Sequence, residues 1–257
     1  MTTVVSHVTA RDNALLVRLR RLQHSGTAYR KNSEVWIEGE HLCSALRARH
    51  LSPVQALISD SAYARPALRE LAHAAPRVAC VGDALFAGVS ELPSPAGIGF
   101  VIALPAAPPL RADAASIVLD RVQDAGNVGS MLRSASAMGF KQVLALEGTA
   151  GLWSPKVLRA GMGAHFALDL IEGLSATDLR ALRVPLLAAS AHATQTLHAA
   201  ALPFPCAWVF GHEGQGIDAA LAASCRMTLR IPQPGGEESL NVAAAAAICL
   251  YASRVSA

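Results

Sequence analysis

The 257-residue chain carries no recognisable metal or disulfide framework. Its five cysteines (Cys43, Cys80, Cys206, Cys225 and Cys249) are scattered and odd in number, with no C-x-x-C pair and no histidines gathered near them. Such spacing argues against zinc sites and paired bridges, and for buried thiols in a reducing compartment. Long apolar runs are missing too. The longest, residues 242–252, is about half of the ~20 residues a membrane-spanning helix needs. No basic patch followed by an apolar core opens the chain, so the expectation is a soluble cytoplasmic protein with no membrane partner. Also absent are a G-x-G-x-x-G fingerprint and a G-K-[ST] phosphate loop, which removes support for nicotinamide dinucleotides and nucleoside triphosphates. His212-Glu213 lacks the second histidine of a zinc-protease helix. Neither repeats nor a low-complexity tail is found.

What is present is apolar material, 52% of the chain and rich in Ala, enough for one large domain or two modest ones. Net charge is only +3, but its distribution is uneven. Residues 111–257 balance, with eleven Lys/Arg against eleven Asp/Glu, so the whole excess lies before them. It is densest at Arg11, Arg18, Arg20, Arg21, Arg30 and Lys31, opposed only by Asp12. A basic segment at one end suits a polyanion such as RNA, and equally a solvated helix face.

In residues 12–22, Leu15, Leu16, Leu19 and Leu22 share one face, which predicts a helix. A loop is expected over 24–32, strands over 34–37, 54–58, 78–81 and 97–104, and helices over 40–49 and 67–73. These make a small α/β unit. Pro105, Pro108 and Pro109 stiffen a linker, giving an N-terminal domain over 1–107 and a second over 111–257. In the second, strands at 116–119, 142–146, 166–170, 185–190, 206–210 and 227–231 alternate with helices at 126–138, 155–160, 176–183 and 241–254. That alternation predicts an α/β fold with a parallel sheet covered on both faces.

Three segments carry chemistry, each just past the C-terminal end of an expected strand, the ligand-binding edge of such sheets. In the first, Asn127-x-Gly129-x-x-x-Arg133, a strand turns into a helix. Exposed N–H groups at the helix start attract phosphate, and Arg133 is placed to grip it; a helix cap and a surface Arg would look the same. The second, Phe210-Gly211-x-Glu213-x-x-Gly216, permits close backbone approach to a ligand. The third runs from Ile231-Pro232 to Ser239-Leu240-Asn241-Val242 and into an Ala-rich helix suited to close helix–helix contact. Ser239 and Asn241 stand where a cap would stand.

In this order and spacing, the three segments resemble the motifs of the SpoU (TrmH-like) family of RNA 2'-O-ribose methyltransferases, within the SPOUT superfamily, over residues 116–254. The N-terminal domain, with Glu38-Gly39 ahead of a helix, is similar to that family's RNA substrate-binding domain. The resemblance implies a trefoil knot, a homodimer, S-adenosyl-L-methionine (AdoMet) bound in the knot, and no metal. It implies that Gly211, Ile231 and Leu240 lie against the cofactor, mostly through backbone, and that Asn127, Arg133, Glu213, Ser239 and Asn241 are catalytic or substrate-side residues. The segment from Lys156 to Gly163 is also family-like, with no role assigned. A guanidinium is essentially always protonated, so Arg133 is expected to hold phosphate and stabilise charge rather than act as a base. Glu213 is expected to organise the Gly-rich loop. Ribosomal RNA is the favoured substrate, transfer RNA the runner-up. An inactive RNA-binding protein, a base methyltransferase with a related knot and, remotely, a nucleotide-dependent oxidoreductase are the other classes.

Overall fold

The computed structural model describes residues 3–235 and 239–255. The chain divides into two compact units, Met1–Ala106 with Trp153–Phe166, and Ala107–Leu152 with Ala167–Ala257. The change-over at 106–107 falls at the expected proline-rich linker. Residues 153–166, placed in the second domain by sequence reasoning, group with the first.

The first unit contains β1 (Val4–Val8), α1 (Ala14–His24), α2 (Ala28–Asn32), β2 (Glu34–Glu38), α3 (Glu40–Ala48), β3 (Gln55–Ser59), α4 (Asp60–Tyr63), α5 (Pro66–Ala72), β4 (Arg77–Val81), α6 (Asp83–Ala87) and β5 (Ile98–Ala103). Its sheet has the order β1-β4-β3-β5-β2, with β5 antiparallel to both neighbours. Helix α1 starts because the Asn13 side chain accepts the Leu15 N–H at 2.9 Å. Leu16, Leu19 and Leu22 then meet Trp36, Leu57 and Ala79 in one core, with Leu15 half-buried at its edge. The expected loop at 24–32 contains helix α2, a single short turn of too few residues to show periodicity.

The second unit runs β6 (Ser116–Asp120), α7 (Ala125–Ala137) and β7 (Gln142–Leu146). The chain passes through α8 (Pro155–Gly161), within the first unit, before β8 (Asp169–Leu174). Then come β9 (Leu186–Ala189), β10 (Gln195–Thr196), β11 (Ala207–Gly211), α9 (Ala219–Ser224), β12 (Met227–Arg230) and α10 (Val242–Val255). The order is β10-β12-β9-β11-β6-β7-β8 and the strand pairs are parallel. Strands β6, β7 and β11 are buried along their whole length, as a sheet covered on both faces requires. Two expectations shift here. Strand β8 begins three residues late because Ala164–Ala167 forms a 3-10 turn, and the helix expected at 176–183 is only a 3-10 turn over Asp178–Ala181.

Helix α10 packs on α7. It is also fixed to β11 through Trp208, whose buried Nε1–H donates to Ser253 Oγ at 2.8 Å. This bond holds the strand that ends at Gly211. Among the described residues no helix is long and apolar enough to cross a membrane.

Candidate active site

The C-terminal ends of β6 and β11 lie side by side, with Asp120 opposite Gly211. Asp120 is an acid following the apolar run of residues 117–119 at the end of its strand, and it is buried. Its carboxylate accepts two bonds from Arg121 and the Asp218 N–H at 2.7 Å, while Arg121 reaches Gln215 at 3.2 Å. One buried acid thereby ties β6 to the far side of the turn after β11, directly at Asp218 and through Arg121 at Gln215. Sequence reasoning passed over Asp120 and Arg121; the acid closing an apolar run was the available signal.

The cap of α7 is Asp124, whose carboxylate accepts the Asn127 N–H at 2.7 Å. Asn127 itself sits inside the first turn, so it is not the cap that the sequence suggested. Its side chain is free to bridge. Asn127 Nδ2 donates to Glu213 Oε1 at 3.1 Å, and Asn127 Oδ1 accepts from Asn241 Nδ2 at 2.9 Å. Asn241 is the cap of α10, its Oδ1 accepting the N–H groups of Ala243 and Ala244. One chain of hydrogen bonds therefore joins the three sequence segments.

Glu213 also accepts the N–H groups of Gln123 and Asp124, at 3.2 and 3.1 Å. Burial alone would raise its carboxyl, but the bonds from Asn127 and the backbone outweigh it and hold the group below its ordinary range. Such a carboxylate is a weak base and a good organiser.

Beside this network lies a cavity of about 620 Å³. Gly211, Glu213, Ile231, Ser239, Leu240 and Asn241 all line it. Ser190 and His192, after β9, line it too and were not anticipated. Gly211 is required by packing, since a Cβ there would meet the Gly216 carbonyl carbon and the Ile217 nitrogen at 2.2 Å. Arg133 stands apart from the lining. It is exposed on α7, about 9 Å along the axis from Asn127, and makes no hydrogen bond or ion pair among the described residues.

The SpoU rRNA Methylase family matches residues 114–251. The chain belongs to that family. It is 30% identical to the 23S rRNA (guanosine(2553)-2'-O)-methyltransferase RlmP of Bacillus subtilis, over 89% of this chain and 91% of that protein. A crystal structure of an RNA 2'-O ribose methyltransferase superposes with a TM-score of 0.82 at 27% identity, covering 96% of this chain and 98% of the other. The SpoU methyltransferase AviRb from Streptomyces viridochromogenes, solved in complex with AdoMet, shares the fold with a TM-score of 0.85 at 23% identity, over 95% and 97% of the two chains.

The SpoU cofactor fits the residues present. The cavity lies within the ~300–1,000 Å³ typical of small-molecule sites. Leu229, Ile231, Leu240 and Val242 give it apolar walls for a flat ring, and the 211–217 turn gives it backbone polar groups. Gln233 Oε1 in the same lining is buried with no partner among the described residues, an acceptor suited to an N–H of a bound ligand.

Proposed function

We propose that this protein transfers the methyl group of AdoMet to a ribose 2'-hydroxyl of RNA, with ribosomal RNA as the substrate. The observation that carries the reading is the Asn241–Asn127–Glu213 bond network beside the 620 Å³ cavity, built by all three family segments. The ribosomal preference is supported by the Bacillus subtilis relative's target, 23S rRNA.

In this reading Gly211, Ile231 and Leu240 hold the cofactor. When bound, AdoMet supplies an electrophilic methyl on a sulfonium that leaves as a thioether, so no metal is needed. The chain's task is to position and stabilise the ribose oxygen. Arg133, exposed and without an ion pair among the described residues, grips the neighbouring phosphate and stabilises negative charge growing on the 2'-oxygen. The hydroxyl proton leaves to phosphate or water. Glu213 holds the loops in register, and Ser239 with Asn241 positions the ribose or Arg133.

The second unit is the methyltransferase domain and the first the RNA-binding domain. The family fold implies the trefoil knot in the second unit, and a homodimer in the cytoplasm completes the picture. Support for the dimer comes from α10, which exposes Ile248, Tyr251 and Val255 along one side. The test is transfer of labelled methyl from AdoMet to separated, unmodified ribosomal and transfer RNA. Label in ribosomal RNA supports the proposal, label only in transfer RNA corrects the substrate, and AdoMet binding without label in either overturns it.

A further inference from the structure

His212 occupies the unassigned position between Gly211 and Glu213. Its backbone N–H donates to Gly216 O at 3.1 Å and its carbonyl accepts from Gly216 N–H at 2.8 Å, closing a five-residue turn. The ring bonds into the same turn. His212 Nδ1 lies 2.9 Å from Gly214 N and 3.2 Å from Gln215 N. Both partners are backbone N–H donors, so Nδ1 must be the acceptor. The imidazole is thereby fixed as the neutral tautomer with its proton on Nε2. The ring lines the cavity together with Gly214 and Gln215.

Glu213 and His212 divide the work of shaping the turn. The carboxylate faces away from the turn, binding Gln123, Asp124 and Asn127. The imidazole gathers the turn's own N–H groups, which would otherwise be left to solvent. Gly211 cannot yield, because the turn's backbone already packs against its Cα. The wall of the cavity is therefore set by a glycine on one side and an imidazole acceptor on the other.

We infer that His212 is a positioning residue for the cofactor, acting as a tautomer-locked acceptor that holds the Gly214–Gln215 backbone in the shape of the cavity wall. The inference rests on the AdoMet reading of the cavity. What matters at this position is a short side chain with an acceptor near the place of Nδ1. Asparagine supplies one and leucine does not.

Three measurements on the full-length protein test this. Nitrogen NMR of ring-labelled protein without ligand at neutral pH should show His212 as the Nε2–H tautomer; the Nδ1–H tautomer overturns the inference. Calorimetric titration with AdoMet, without RNA, should show His212→Leu weakened about tenfold, equivalent to about 1.4 kcal/mol. His212→Asn should stay within about threefold of wild type. In turnover assays, His212→Leu should raise KM for AdoMet with little change in kcat. Equal affinities for wild type and His212→Leu, or equal losses in the Leu and Asn variants, refute the acceptor role. A wild-type protein that fails to bind AdoMet refutes the cofactor reading instead, so the two failures are distinct.

Discussion

Adding one methyl group at Gly211 is the sharpest perturbation the cavity offers. An alanine Cβ there would stand 2.2 Å from Gly216 C, 2.2 Å from Ile217 N and 2.4 Å from Gly216 O. All three are backbone atoms, so no side-chain rotation relieves the clash. Ordinary contact begins near 3.4 Å, so the turn must retreat by about 1.2 Å. Overpacking of this kind costs about 1–3 kcal/mol. If that displacement is paid when the cofactor restores the turn, AdoMet affinity falls about 5- to 150-fold. Gly214→Ala is the matched comparison, since among the described residues its Cβ would meet only the His212 ring, at 3.7 and 3.8 Å. It should lose far less. Calorimetry on both variants, with circular dichroism to show that each is folded, provides the assay. A folded Gly211→Ala protein that binds AdoMet like wild type would refute the placement of the cofactor against this turn.

Four further outcomes follow from the same geometry. Arg133→Ala should lower kcat about 10²- to 10³-fold while leaving AdoMet affinity within about twofold; equal loss of both, measured by single-turnover kinetics and calorimetry, would remove Arg133 from charge stabilisation. Ser253→Ala leaves the buried Trp208 N–H unpaired, costing about 1–3 kcal/mol, a fall in Tm of order 5 °C in a thermal melt. Glu38 is buried and Ser90 donates to it at 2.5 Å, but burial outweighs that bond and pushes its carboxyl above the ordinary range. Its stabilising contribution is therefore complete in acid and lost as pH rises through the raised value, so Glu38→Gln should gain Tm relative to wild type as pH climbs above the ordinary carboxylate range. Replacing both Arg21 and Lys31 by Ala should flatten the salt dependence of RNA binding by about 1.5 in log–log slope, and an unchanged slope would take them out of the interface.

The last of these differs from what the charge pattern suggested, and the reason is instructive. By sequence Arg18, Arg20 and Arg21 belong to the basic segment suited to RNA, and neutralising all three is expected to reduce the salt dependence of binding. In the structure Arg18 is spent on Glu34 and Gln55, and Arg20 on the carbonyls of Gly88 and Arg11. Arg21 and Lys31 are exposed and, among the described residues, make no ion pair. Charge count shows how much basic material is present, whereas only packing shows which guanidiniums are already committed.

The parallel sheet was legible because the interiors of β6, β7 and β11 are apolar runs between turn signals, and the leucines of α1 repeat at helical spacing. Strand β1 was not, since its residues are mostly exposed and it pairs only with β4. Helix α9 is six residues long and is started by Asp218, whose carboxylate caps it, too short a signal to stand out. The three site segments were visible by residue type, but their wiring was not. Asn127 looked like a cap because capping and bridging use the same side chain, and only Asp124 at the true cap freed it. His212 gave no signal at all, because its partners are backbone N–H groups of its own turn.

The central claim is the position of the transferred methyl. Full-length protein, labelled AdoMet and unmodified ribosomal RNA should be incubated and the RNA digested to nucleosides, with the mass of each labelled product resolved into base and sugar. The account predicts label on the sugar, at the 2'-oxygen of a single nucleotide, and its loss in the Arg133→Ala variant. Label on a base, or undiminished ribose label in that variant, would contradict it.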